Sequence, residues 1–422
     1  MMNKIKLIEK IEGEAKLHFS FKNKKIDFVD IEFLQTRSIE KILEGKNAFD
    51  ALVINPRVCG ICGHAHLIAT VEALEDCYED LEVSNKAKII RELTLNFELI
   101  QNHFKWFYFT VLPLFGYKQA ILKASYPSQL MSKAIAVIGG QYPHNSYAIV
   151  GGVVSDITHT DLIKITQYIN ETRKFFDDNL IKLENKDILE CENIDTLFNQ
   201  KGDLSMILDD ILKNRWEYLG KSYDRFIAFG ENSYFTKGKS LKTRRFTNIE
   251  IDEVEEFSNK NSFAKNVTFK DKYFEVGPLS RAIINKNGLI KDSHGKYEDS
   301  IVSRIVARVT EIPQLLNHTK NLINQINLDE PSFIKPKIDI SKITSTGYSA
   351  VEAARGSLIH KVNLENGIIK KYDIITPTQW NLSNGTRQNQ GISQKAMIGL
   401  KDEKIAEIVF KSFDVCSVCT TH

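Results

Sequence analysis

Arg57-Val58-Cys59-Gly60-Ile61-Cys62-Gly63-His64-Ala65-His66 and Asp414-Val415-Cys416-Ser417-Val418-Cys419-Thr420-Thr421-His422 are the two stretches that organise this chain. Each carries a C-x-x-C pair, a spacing that lets two sulfurs face one ion, and four thiolates suit zinc, iron or nickel. A structural zinc ordinarily ties together a small module. Here the pairs stand at opposite ends of 422 residues, so a shared site closes only when the whole fold has formed. Six cysteines are too few for a disulfide scaffold in a chain of this length, and the two outside the pairs, Cys77 and Cys191, read as ordinary buried thiols.

Outward from the first pair, residues 3 to 34 alternate apolar and polar positions with a Glu12-Gly13 break, which predicts a small antiparallel sheet. Helices are predicted over Ile39 to Leu43 and His66 to Cys77, placing Cys59 and Cys62 on a loop that runs into a helix. Long helices follow at Asn85 to Leu112, Asp156 to Leu183 and Tyr297 to Ile326, enough for a bundle core. Residues 190 to 290, rich in Lys, Asn, Ser and aromatics with strand signals FTNIEI and KYFEVG, read as a peripheral elaboration. From Gly347 strands return (Gly356 to Leu364, Ile368 to Ile375). A last helix over Gln394 to Leu400, with Glu403 to Phe413 as its continuation, leads to the terminal cysteines. The expected class is α+β, mainly α with peripheral β: one domain, 1–422, with a β-rich start (1–35), a helical bundle (85–183 and 297–326), and a β-rich segment bearing the last metal motif (347–422).

The 56 basic and 54 acidic side chains leave a net charge of +2, which removes any case for nucleic acid built on bulk charge. No stretch reaches eighteen consecutive apolar residues, so no transmembrane segment is expected, and Met1 to Glu14 lacks an apolar leader core.

The two cysteine motifs resemble those of the large subunit of nickel-iron hydrogenases, R-x-C-G-x-C-x-x-x-H and D-P-C-x-x-C-x-x-H, and His422 falls where family members end, whether after removal of a tail or as encoded. Weaker signatures accompany them in order: Ile11-Glu12-Gly13, Gly139-Gly140-Gln141-Tyr142-Pro143-His144 with Gly151-Gly152-Val153, Ala354-Arg355-Gly356-Ser357-Leu358-Ile359-His360, and Thr376-Pro377-Thr378-Gln379-Trp380-Asn381. The resemblance runs from about Lys10 to His422. It implies a nickel-iron centre with carbon monoxide and cyanide on iron, Cys59 and Cys416 as terminal nickel ligands, and Cys62 and Cys419 as bridges. It also implies that Cys416 or Arg355 serves as base to dihydrogen. Because a guanidinium is a poor base, electrostatic positioning is the better role for Arg355. Glu12 is implied as acceptor of the proton from the terminal thiolate. Pro377 and Thr378 line the diatomic ligands, and His66 and His144 contact the cluster or the subunit interface. Glu40 and His422 hold a magnesium or iron near the C-terminus. His64 and His103 receive no role.

Departures from the family pattern are Val415, Ala354 and Asn145 at positions where proline is usual, and Leu114 where an aspartate of the canopy over the arginine is expected. The resemblance implies reversible cleavage of dihydrogen to protons and electrons, biased toward uptake, in a heterodimer. An iron-sulfur small subunit is required because only two separated cysteines remain for electron transfer, and maturation proteins assemble the centre. The alternative is a dihydrogen-sensing subunit that signals to a kinase; a proton-pump subunit of the related respiratory complex is disfavoured because such chains have lost the thiolates. The expected location is cytoplasmic or membrane-associated, and periplasmic if the small subunit carries an export signal.

Overall fold

The computed structural model describes residues 2–9, 12–183, 186–242, 244–259 and 262–422. Ile11 of the Ile11-Glu12-Gly13 signature lies outside them. The N-terminal alternation folds as expected: Met2–Ile8, Ala15–Lys22 and Lys25–Phe33 form an antiparallel sheet in which Leu17 pairs with Ile31 and Ile8 with Ala15. Ala15, Leu17, Phe19 and Phe21 of the middle strand are buried and the residues between them are not, the period of two that puts alternate side chains on one face.

The three expected long helices are present, with different ends. Asn85–Trp106 starts where Ser84 Oγ accepts the Ala87 N–H (3.1 Å), then widens into a π turn at Phe107–Val111 before the short Leu112–Leu114 helix. His159–Phe175 begins at a Thr158/Asp161 capping box and ends in a second π turn, Phe176–Ile181. Ile301–Gln325 is the third. A fourth, Ile121–Gly139, escapes sequence periodicity because Pro127 sits inside it and removes one backbone donor, the local signature of a break. It packs between Asn85–Trp106 and His159–Phe175 and completes the bundle.

Ser345–Ala353, Gly356–Glu365 and Ile368–Ile375 form the C-terminal antiparallel meander. Past it the expected continuous last helix is two, Ile392–Met397 and Glu403–Ser412, separated at Gly399, whose φ of 83° a helix cannot hold. The helix predicted from His66 begins three residues earlier, at Gly63, directly after Cys62.

Within 190–290, KYFEVG forms no strand, and only Phe246 of FTNIEI does. The strands there are Arg225–Ala228, Gly238–Leu241, Arg244–Phe246, Val254–Phe257 and Asn266–Phe269. Ile227, Phe229, Val267, Phe269, Phe274 and Val276 close a second small core with Ile359 and Trp380, under the segment that carries Pro377 and Thr378. The same region is tied to the bundle by a buried ion pair: Arg304 Nε and Nη2 donate to Glu275 at 2.8 and 2.7 Å. Replacing Arg304 with alanine strands the Glu275 carboxylate in the interior, and the expected loss is about 3–5 kcal/mol of stability, read from the urea unfolding midpoint. Among the described residues no helix is long and apolar enough to cross a membrane.

Candidate metal centre

The Gly63–Glu75 helix starts directly after Cys62 and brings its positive end to that sulfur's loop. Only glycine fits at 63, since a Cβ there would lie 2.3 Å from the Pro56 carbonyl oxygen. The free N–H groups of that first turn go to one carboxyl: Glu98 accepts from His64 N (2.9 Å) and Ala65 N (3.0 Å). Asn102 Nδ2 and the Tyr142 hydroxyl both donate to the Ile61 carbonyl at 3.1 Å, fixing the loop between the two cysteines.

Burial pushes the Glu98 carboxyl up to about 7, against the backbone donors that lower it. In the unfolded chain the proton leaves near 4.5, so the folded state binds more protons between those values and this group subtracts stability as pH rises from about 4.5 to 7. Glu98→Gln is expected to flatten that slope, measured as the unfolding midpoint across the same pH window.

The second pair reaches the first across the whole molecule. Cys59 Sγ lies 3.9 Å from Cys416 Sγ, Cys62 Sγ lies 3.2 Å from Cys419 Sγ, and Cys416 and Cys419 are 3.1 Å apart. All four are free and buried. Arg37 joins the two loops: its guanidinium donates to the carbonyls of Arg57 (3.1 Å), Val58 and Val418 (2.9 Å). Contact with Cys419, then with Cys59, lowers the Cys62 thiol to about 6, while burial raises Cys419 well above the ordinary thiol range. Four sulfurs this close and this dry cannot all ionise without a cation among them, which is the donor set of a soft metal.

Beside the sulfurs is a small cavity lined by Cys62, Cys419, His66, Arg355, Pro377 and Thr378, together with Ala353 and Leu358. It gathers every residue that the resemblance places around the diatomic ligands. Pro377 opens a short helix, Pro377–Leu382, behind a Thr376/Gln379 capping box, and Thr378 Oγ1 accepts the Cys416 N–H at 3.4 Å. Arg355 Nε donates to the Asp414 carbonyl (3.0 Å) and pairs with its carboxylate (3.1 Å), whereas Nη1 is buried without a partner among the described residues. Burial alone would lower this guanidinium; Asp414 and the nearby cysteines raise it well above its usual value, so it stays a cation. Asp414 is shared with Arg308, whose Nη1 donates to it at 2.6 Å. A carboxylate therefore stands at the arginine from the last motif itself, while Leu114 packs against the main core.

Glu12 sits at the rim, exposed, with φ of 51° in the left-handed region. Its carbonyl accepts the Val418 N–H (3.0 Å), and the Glu14 carbonyl accepts the Ser417 hydroxyl (2.9 Å). A Cβ on Gly13 would lie 2.9 Å from Ser417 Cβ, so glycine lets the turn close on the last motif. Desolvation by the surrounding residues, then the charge of Cys416, raises the Glu12 carboxyl, and Arg355 opposes them.

On the other side of the C-terminal segment, His422 Nε2 is 3.4 Å from Glu40 Oε1. Lys265 Nζ bridges Glu40 Oε2 (2.8 Å) and Glu256 Oε2 (2.7 Å), and Asp373 completes the acidic group. The three carboxylates, with water, suit a hard divalent cation, for which a histidine is a less usual ligand. Burial would raise Glu40, but hydrogen bonding to His422 and the charges of His422 and Lys265 hold it down at about 2.

Sequence reading names the sulfurs and the cavity wall but misses Arg37, Glu98, Arg308 and Lys265, and quotes Asp414 without a role. His64, left unassigned, is a satisfied interior side chain bonded to Thr94 Oγ1 (2.8 Å); His103 bonds to Glu311 Oε2 (2.7 Å). His144 is exposed on the loop after the cis Tyr142–Pro143 bond.

Fold and site together define a metalloprotein whose centre is closed by two cysteine pairs from opposite ends of one chain. The family model described as nickel-dependent hydrogenase matches residues 37–112 and 222–422, and the chain belongs to that family. It is 24% identical to sulfhydrogenase 1 subunit alpha of Pyrococcus furiosus, over 98% of this chain and 96% of that one. It is also 24% identical to the periplasmic [NiFeSe] hydrogenase large subunit of Desulfomicrobium baculatum, over 98% and 93%. The solved Ni-Fe-Se hydrogenase of D. vulgaris Hildenborough in its as-isolated oxidised state shares the fold with a TM-score of 0.84 at 20% identity, covering 100% of both chains.

Proposed function

We propose that this chain is the hydrogenase large subunit that cleaves dihydrogen heterolytically to protons and electrons, working in the uptake direction. The observation that carries this is the closure of Cys59, Cys62, Cys416 and Cys419 around one point. When bound there, a nickel-iron pair carrying carbon monoxide and cyanide supplies the Lewis acidity and electron storage that no side chain provides. Cys59, Cys62, Cys416 and Cys419 would hold the pair, and the family resemblance would make Cys59 and Cys416 terminal ligands and Cys62 and Cys419 the shared ones. Only a thiolate can share its sulfur between two soft metals, which histidine cannot do.

The rest of the chemistry belongs to the chain. Arg355, held cationic against Asp414, sets a fixed positive charge over the cavity and restrains the position of the reacting molecule. Cys416 takes the proton and Glu12, its carboxyl raised beside that thiolate, receives it and passes it outward. Pro377 offers an apolar wall, and Thr378 a hydroxyl whose proton has no acceptor among the described residues. Glu40 and His422 would hold a magnesium or iron ion that pins the C-terminal segment.

Electrons leave to an iron-sulfur small subunit. Cys77 and Cys191 are the remaining cysteines, and Cys77, its thiol pushed up to about 12 by burial, is a core residue. Maturation proteins load the centre, and the partner's signal sets the compartment. Purified with its partner, the protein is expected to hold one nickel and one iron at the four thiolates, with infrared bands of carbon monoxide and cyanide. Stoichiometric zinc without such bands would overturn the reading.

A further inference from the structure

Apart from the sulfurs themselves, one side chain among the described residues bonds to both cysteine loops, and it belongs to neither. Arg37 Nη2 donates to the carbonyls of Val58 and Val418 (2.9 Å to the latter), and Nη1 donates to that of Arg57 (3.1 Å). Val58 stands directly before Cys59, and Val418 directly before Cys419. A peptide unit is planar, so a carbonyl oxygen and the Cα of the next residue move as one rigid body. One nitrogen therefore holds the two peptide planes that lead into a cysteine of each pair.

The grip on the last motif is made at several points. The backbone N–H of Arg37 donates to the Thr421 carbonyl (3.1 Å), and three residues on, Glu40 Oε1 lies 3.4 Å from His422 Nε2. Val418 is fixed from its other edge as well, since its N–H goes to the Glu12 carbonyl (3.0 Å). Ser417 Oγ to the Glu14 carbonyl and Cys416 N–H to Thr378 Oγ1 also tie the motif down, but neither bond reaches the first loop. Among the described residues Arg37 has no carboxylate partner, so its guanidinium serves carbonyl oxygens and not an ion pair. We infer that Arg37 is a positioning residue for the metal centre, a clasp that sets the spacing between the two cysteine pairs. Without it, the approaches of Cys59 to Cys416 (3.9 Å) and of Cys62 to Cys419 (3.2 Å) keep no tie between the loops but the sulfurs, and the four buried thiols gain access to water. The inference rests on the reading of these four sulfurs as one metal site.

The test uses the full chain free of metal, treated with a thiol-alkylating reagent and read cysteine by cysteine from peptide masses. Arg37→Met keeps much of the side chain's length and removes its donors. Labelling of Cys59, Cys62, Cys416 and Cys419 should quicken, while Cys77 and Cys191, buried outside the centre, should keep their rates. Cobalt(II) added alone, followed by its sulfur-to-metal absorption, should bind about 10–100-fold more weakly, the usual loss when an outer partner of a metal ligand is removed. Arg37→Lys still brings one nitrogen to the two carbonyls that Nη2 bridges, and it should return both readings toward those of the unaltered chain. Six cysteines quickening together would mean general loosening and would overturn the clasp. Unchanged labelling and cobalt binding in Arg37→Met would overturn it too, as would a Lys variant as open as the Met variant. Failure of the unaltered chain to take up cobalt is a separate result: it counts against the metal site, and the labelling pattern still decides the clasp.

Discussion

Cys419→Ser is expected to strip the centre of nickel and iron and to take hydrogen oxidation to background, a loss larger than the roughly 10–100-fold that follows when only the outer partners of metal ligands are removed. Cys419 lies within 3.2 Å of Cys62 and 3.1 Å of Cys416, so it is the sulfur through which the two loops meet. A serine hydroxyl is hard, stays protonated near neutrality, and cannot share its oxygen between two soft metals. The fold should survive, because the surrounding contacts are made by other groups: Arg37 to Val418, the Glu12 carbonyl to Val418 N–H, and Thr420 Oγ1 to the Cys416 carbonyl (2.8 Å). Metal analysis beside circular dichroism separates the outcomes. Full nickel and iron in a folded Cys419→Ser protein would show that the second pair does not hold the centre.

Glu12→Gln tests the exit of protons instead of the metals. Glutamine keeps the size and hydrogen bonding of the side chain but cannot titrate, and Glu12 meets the last motif through its carbonyl, so metal content should be unchanged. Steady-state oxidation is expected to fall by about 10²–10⁴-fold, the usual worth of a positioned proton-transfer group. Exchange of dihydrogen with solvent deuterons should fall with it. Conversion between para- and ortho-dihydrogen needs no exit for the proton and should persist. Undiminished solvent exchange would make Glu12 an ordinary turn residue; lost nickel would make it structural.

The parts of this molecule legible in its sequence are those whose cause is local. Alternation marked the first sheet, and apolar spacing marked Asn85–Trp106 and Ile301–Gln325. The C-x-x-C spacing marked the sulfurs, since no other side chain offers their chemistry. Ile121–Gly139 was hidden by Pro127, a break signal that tertiary packing overrides. The helix start at Gly63 has no local mark, because the group that satisfies its free N–H donors, Glu98, comes from another helix. Arg308 and Arg37 were illegible for the same reason. An arginine in a helix or a loop has no local mark that tells a surface charge from one aimed at Asp414 or at the carbonyls of two distant loops. The strands of 190–290 do not follow their local pattern, because their positions are set by the second core.

The separation of 357 positions from Cys59 to Cys416 also has a meaning in time. At a synthesis rate of about 5–20 residues per second, the first pair leaves the ribosome roughly 20–70 s before the second exists. Through that interval Cys59 and Cys62 are two thiols at a helix start, a fair site for any passing thiophilic ion, zinc included, and open to oxidation. Affinity cannot protect them, since divalent ions that bind sulfur well are not distinguished by two ligands. Fidelity at this centre is therefore a matter of scheduling: whatever delivers the right metals has to arrive after the last cysteine has been made, and whatever guards the first two has to stay until then.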